Sequence, residues 1–262
     1  MAEKNIIQSE IKRYLLVCFG ITYFAWGSIA VYSTIKNVYF SEEAWMLFLY
    51  VLGVVSPAIS AIMMEKVYEK RTCKEIMKTI FRLPDRKSDW LIGIAIVCVL
   101  QFLPYLVQGG TIAGSFINLI FLIPMFLLIG GTEEIGWRGF WLERELQMVG
   151  KNRAFLILKI GIVWELWHLP LFFILGTYQQ LRTNIGVHTL STLGMAFFLG
   201  ALYIESRSTF LCMMAHGLTN AFSDIIIVRQ NWKTAIMMIG VSVIFFAVID
   251  SKNKHVKTKA EK

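Results

Sequence analysis

Charge is scarce in this chain. Of 262 residues only 17% are charged, while 56% are hydrophobic and 14% aromatic, whereas a soluble domain carries about a quarter charged residues. That shortage excludes an ordinary soluble globular fold, and the hydrophobic excess excludes disorder. Cysteine is sparse too. Cys18, Cys73, Cys98 and Cys212 stand alone, giving neither a CxxC pair nor a secreted disulfide framework, and they read as inert. The HExxH spacing of many zinc peptidases is missing. No internal repeat, low-complexity tract or separate soluble domain interrupts the chain, so residues 1–262 read as one integral-membrane domain.

What the sequence has instead is long apolar runs. Eight can be read, at roughly 15–33, 45–64, 90–107, 115–130 or beyond, 154–175, 187–204, 209–228 and 234–249. Each approaches the roughly 20 residues a helix needs to cross the hydrocarbon layer. The expected fold is therefore an all-α polytopic membrane protein, a bundle of about eight transmembrane helices.

The net charge of +8 does not point to nucleic acid, because the basic residues fall between apolar runs rather than on one amphipathic surface. With the N-terminus placed in the cytoplasm, 21 of the 26 Lys and Arg lie in inside segments, among them eight in residues 65–89. Outside fall only Lys36, Arg182, Arg229 and Lys233, with Lys159 inside a helix. This asymmetry predicts that both termini are cytoplasmic. The opening MAEKNIIQSEIKR is polar and basic with no small-residue cleavage site after the first run, so that run reads as a retained anchor. The loop 65–89 and the tail KNKHVKTKAEK read as solvated faces beside anionic headgroups.

Polar groups inside the runs carry the functional information, because they are costly there unless paired or hydrated. In GTEEIGWRGF, Glu134 and Arg138 are four apart and share a helix face, while Glu133 lies about 100° away and is left available. Two adjacent glutamates in a low-dielectric site cannot cheaply both stay charged, a usual condition for acid/base work; a charged helix end at the membrane surface would account for the same pattern. In WELWHLP, Trp164 lies one turn before His168 and covers its approach. Glu165, three residues before His168, is placed to share its face. In HGLTN, His216 and Asn220 stand one above the other, as two hydrogen-bond donors or as helix-to-helix glue.

Depth argues that the three clusters meet. His168 lies roughly 22 Å along its helix from Arg153, and His216 roughly 14 Å from Arg207. If the fourth run continues through WRGFWLERE to about Arg144, Glu133 sits roughly 16 Å from that end. All three then share a layer reached from the cytoplasmic side.

The ordered succession of Glu133, Glu134 and Arg138 (EExxxR), Trp164 and His168 (aromatic-xxxH), and His216 and Asn220 (HxxxN) resembles the signature of the CPBP intramembrane protease family. That family comprises type II CAAX prenyl endopeptidases and bacteriocin-processing and immunity-associated relatives. The family-like core covers about residues 115–228. Two departures are visible: Trp164 stands where Phe is commoner, and Glu165 is added beside the histidine motif.

The resemblance implies an intramembrane endopeptidase that hydrolyses a peptide bond of a membrane-associated peptide or protein. Glu133 would be the general base, with His168 holding or activating water and His216 and Asn220 donating to the oxyanion. Glu134, Arg138, Trp164 and Glu165 would support them. The substrate would be reached from the cytoplasmic side, with membrane lipids as the other partners and no nucleic acid, in a bacterial cell membrane. Glu133, His168 and His216 are also a possible zinc ligand set; a metal-free route is preferred because Asn220 fits an oxyanion role better. The rival reading is a non-catalytic immunity, signalling or scaffold protein of the same family. A small transporter fits less well, since no pair of segments repeats a broken-helix pattern.

Overall fold

The computed structural model describes residues 2–148 and 152–260. Lys151 and the side chains of residues 254–262, most of the basic tail, lie outside the described residues. The architecture is an all-helical membrane bundle, and the described strand is confined to a two-residue pairing. Helices α1 (Ala2–Lys36), α2 (Ala44–Val67), α3 (Cys73–Ile80) and α4 (Lys87–Gln108) come first. Then α5 (Leu119–Phe126) runs through wide turns at Leu127–Gly131 and Ile135–Leu142 into α6 (Glu143–Gln147). The rest is α7 (Arg153–His168), α8 (Tyr178–Arg182), α9 (Ile185–Ser206), α10 (Thr209–Ile225) and α11 (Trp232–Ala260).

Among the described residues six helices are long and apolar enough to cross a membrane: α1, α2, α4, α7 together with the tight turn that carries it to Phe173, α9 and α11. The fourth apolar run makes a seventh if its two arms, Phe116–Gly131 and Ile135–Gln147, count as one span bent by 48°. The remaining run, α10, is a 17-residue helix and falls short of the usual spanning length. It is largely buried among α4, α5 and α9, which explains how it carries so many polar side chains. The outer faces of the long helices expose Leu16, Phe24, Leu91 and Ile244, as a lipid-facing girdle requires.

Local signals set the helix ends. Asn152 caps α7, its Oδ1 accepting from the backbone N–H groups of Ala154 and Phe155. Ser208 caps α10 by accepting from Leu211. Thr72 and Glu75 form a reciprocal capping box on α3, and those bonds hold the Glu75 carboxyl below its usual range. Thr111–Ile112 pairs antiparallel with Ile226–Ile227, tying the end of α4 to the end of α10.

Ion pairs gather the basic segments at the opposite end. Arg144 bonds Glu10 at 2.8 Å and Glu65 at 3.0 Å. Arg207 pairs with Glu143 at 2.7 Å and Arg153 with Asp250 at 3.1 Å. Glu10 near the start of the chain and Asp250 near its end therefore lie at the same end of the bundle, alongside the loop 65–89. A cleft of about 570 Å³ opens there, with Glu10, Glu65, Glu143, Arg144, Arg207 and Thr209 among the residues on its walls.

Candidate active site

The first element of the site is the break in the fourth run. Ile129 and Gly130 leave helical geometry, with φ −105° and ψ 96° at Ile129 and φ 110° and ψ −60° at Gly130. A side chain at Gly130 would meet the Asn220 amide nitrogen at 2.6 Å and the His216 Nε2 at 3.5 Å. Glycine is thus required twice, by its positive φ and by the close approach of α10. The break starts a second arm with Glu133 and Glu134 in its first turn, where the helix dipole favours carboxylates. The expected continuation of the run past Gly130 is present, as a bent arm reaching Gln147 rather than a straight helix.

The two glutamates diverge. Glu134 pairs with Arg138, both fully buried, its Oε1 accepting from the Arg138 Nη1 at 3.0 Å and from the Nδ1 of His216 at 2.9 Å. Glu134 therefore does more than fix the rotation of its own helix, because it also orients the imidazole of α10. Glu133 points the other way and accepts a 2.8 Å hydrogen bond from the indole N–H of Trp164. The Trp164 ring lies under the Arg138 guanidinium, 4.5 Å from its centroid. The same ring stands 5.6 Å from both the His168 and the His216 rings. Trp164 is accordingly the side chain that touches all three clusters.

His168 closes α7. Its Nδ1 lies 2.9 Å from the Trp164 carbonyl oxygen, so Nδ1 carries the proton and donates, leaving Nε2 with a lone pair. Trp167 packs edge-on against it at 4.7 Å, and the Trp167 indole is held by Thr22 at 2.6 Å. By the same reasoning His216 donates from Nδ1 to Glu134, so its Nε2 faces the Gly130 break as an acceptor in the neutral ring and as a donor in the imidazolium. The Asn220 amide nitrogen, against the same break, takes no hydrogen-bond partner among the described residues.

Glu165, placed by its spacing to share the face of His168, reaches α9 there, accepting from His188 at 2.7 Å and from Thr189 at 3.2 Å. His188, which no motif marks, stands 5.2 Å from the His168 ring. A carboxylate inside a span needs a partner, and that need was the available signal for a histidine in the neighbouring helix.

Among the described residues no three His, Cys, Asp or Glu side chains are grouped to hold a metal ion. Glu133 accepts from Trp164 through one oxygen, and His216 and His168 direct Nδ1 at Glu134 and at the Trp164 carbonyl, which turns Nε2 of each ring to water or a metal ion alike. The sequence also predicts a wet cavity open to the basic end. The cleft at that end has none of Glu133, His168, His216 or Asn220 on its walls, and the buried rings of Trp137, Phe140 and Trp141 belong to the same arm. Within the site His168, His188 and Asn220 keep part of their surface exposed.

Comparison with known proteins agrees with the motif order. The family model described as type II CAAX prenyl endopeptidase Rce1-like matches residues 115–222. A protein of Methanococcus maripaludis named CAAX prenyl protease 2 is 26% identical over 244 residues, covering 85% of this chain and 87% of the relative. The matched segment contains Glu133, Glu134, Arg138, Trp164, His168, His216 and Asn220, and over it the chain is similar to the Rce1-like type II CAAX prenyl endopeptidases.

Proposed function

We propose that this chain is an intramembrane endopeptidase of the CAAX-processing kind, cleaving a peptide bond in a membrane-associated peptide with a water activated by Glu133. One observation carries the reading: the indole that bonds Glu133 is the ring that stands 5.6 Å from both imidazoles. A carboxylate and two histidines from three separate elements thereby meet, where each alone would be costly in a membrane, and the Asn220 amide lies beside the Gly130 break that His216 Nε2 also approaches.

In this mechanism Glu133 takes a proton from water as the water oxygen adds to the scissile carbonyl carbon. The lone pair on His168 Nε2 accepts the water's other hydrogen and fixes its direction. Asn220 donates its amide N–H to the carbonyl oxygen as negative charge develops there, and His216 adds a donor when its ring is charged. The carbon–nitrogen bond then breaks, and Glu133 returns its proton to the leaving amine. General-base help of this kind supplies about 100- to 10,000-fold, and an oxyanion donor about 100- to 1,000-fold.

The test is cleavage of a farnesylated CaaX peptide by the protein in lipid nanodiscs, with Glu133→Gln as its pair. Cleavage by the wild type and none by the variant supports the assignment. Cleavage by both proteins removes Glu133 from the mechanism, and cleavage by neither favours a non-catalytic immunity or scaffold role. Comparative peptidomics of membranes holding either form would find substrates other than prenylated tails.

A further inference from the structure

Within α7 the His168 ring is held by the Trp164 carbonyl and by the Trp164 and Trp167 rings. His168 is the last residue of α7, followed by a tight turn containing Pro170, which cannot donate a backbone hydrogen bond. Its one described hydrogen bond goes to the Trp164 carbonyl. A wall from a different helix comes from α9. The His188 ring stands edge-on to His168 with centroids 5.2 Å apart and planes at 70°, and it is itself flanked by Phe172 at 5.3 Å.

His188 is in turn firmly anchored. Its Nδ1 donates to the buried Glu165 at 2.7 Å, a charge-assisted bond of the stronger kind. The other Glu165 oxygen accepts from Thr189, and the amide of Gln179 lies 3.5 Å from the His188 Nε2. A bridge that merely glued α7 to α9 would be superfluous, because those helices already interlock elsewhere. A side chain at Gly161 would strike Ala196 at 2.9 Å, and one at Gly200 would strike Ile157 at 2.8 Å.

We propose that His188, anchored by Glu165, is a positioning residue of the hydrolytic site: its ring is the wall that holds the His168 imidazole so that Nε2 stays turned toward the attacking water. This rests on the hydrolytic reading above, and it gives a task to the glutamate that the family motif does not contain.

The experiment compares wild type, His188→Ala and the double variant Glu165→Gln/His188→Phe in nanodiscs. The double variant keeps an aromatic wall and leaves no unpaired buried charge. Turnover of the farnesylated CaaX peptide, thermal stability and the 15N imidazole signals of His168, assigned with His168→Gln, are read together. His188→Ala should lose about 10- to 100-fold in kcat with KM within about three-fold, since a displacement on the order of 1 Å costs that much. The double variant should regain at least about ten-fold of that loss, a rescue that pair-mediated helix bridging would not give. The His168 signals should shift in His188→Ala and return in the double variant. Unchanged kcat per folded molecule in His188→Ala, or unmoved His168 signals, overturns the proposal. If the wild type cleaves nothing, the hydrolytic reading fails on its own, and the His168 signals still decide whether His188 positions that ring.

Discussion

The indole N–H of Trp164 lies 2.8 Å from a carboxylate oxygen of Glu133, so the residue that replaces the commoner phenylalanine of its motif holds the proposed base directly. A phenylalanine would keep the ring beneath Arg138 and beside both imidazoles but would offer Glu133 no hydrogen. Hydrogen bonds to charged groups contribute about 1.5–3 kcal/mol. Trp164→Phe should therefore lower kcat by about 10- to 100-fold, with the melting temperature changed little because the apolar body stays. A variant with full turnover would show that Glu133 is aimed by its backbone alone.

Glu134 is shared between Arg138 and His216, and that sharing makes two similar-looking changes unequal. Arg138→Met leaves a buried carboxylate with only the imidazole, and breaking a buried pair costs about 3–5 kcal/mol. Its expected signature is low expression and a fall in thermal stability. Glu134→Gln likewise leaves the buried Arg138 guanidinium without its counter-charge and should lose stability too, but it also turns the charge-assisted bond to His216 Nδ1 into a neutral one, so turnover per folded molecule should fall in addition. Melting curves and single-turnover rates on the same preparations check both, and equal stability of wild type and Arg138→Met would defeat the structural role of the pair.

Asn220 separates binding from chemistry. Its amide is poised at the break beside Gly130 and would act on charge that exists only in the transition state. Asn220→Ala should cost about 100- to 1,000-fold in kcat while KM stays within a few-fold. A loss confined to KM would assign Asn220 to substrate binding instead.

The residues that were legible in the sequence are those whose chemistry conflicts with their surroundings. Glu133, His168, His216 and Asn220 interrupt apolar runs, and the spacing of Glu134 and Arg138 pairs them on any helix, so both show before any coordinates. His188 was not legible because a single histidine in an apolar helix carries no spacing signal; only the unmet charge of Glu165 hinted at it. Trp164 was read as an aromatic wall, although a buried indole N–H normally needs an acceptor, and that rule would have pointed to a nearby carboxylate. The number of helices long enough to span was harder still. Apolar composition alone cannot distinguish α10, a 17-residue helix packed inside the bundle, from a lipid-facing span.

Gly130 is where the fold and the proposed chemistry meet most tightly. Gly130 and Gly131 in the sequence allow a break in an apolar run, but only the structure shows that the break points at Asn220 and His216. An alanine at 130 would carry its Cβ to 2.6 Å from the Asn220 amide nitrogen at a φ of 110°, so either the amide or the backbone must move. The left-handed backbone alone costs roughly 1–2 kcal/mol in a residue with a Cβ, a loss that should appear as lower thermal stability. The displaced amide should then remove about a further 10- to 100-fold from kcat. Gly131→Ala is the matched comparison: its Cβ would first meet the Met213 carbonyl oxygen at 2.9 Å and then Leu127 and Phe126 rather than the amide, so it should destabilise with a smaller effect on turnover per folded molecule. If the two variants lose stability and turnover in the same proportion, the break serves only to bend the helix, and the link between Gly130 and the Asn220 donor is lost.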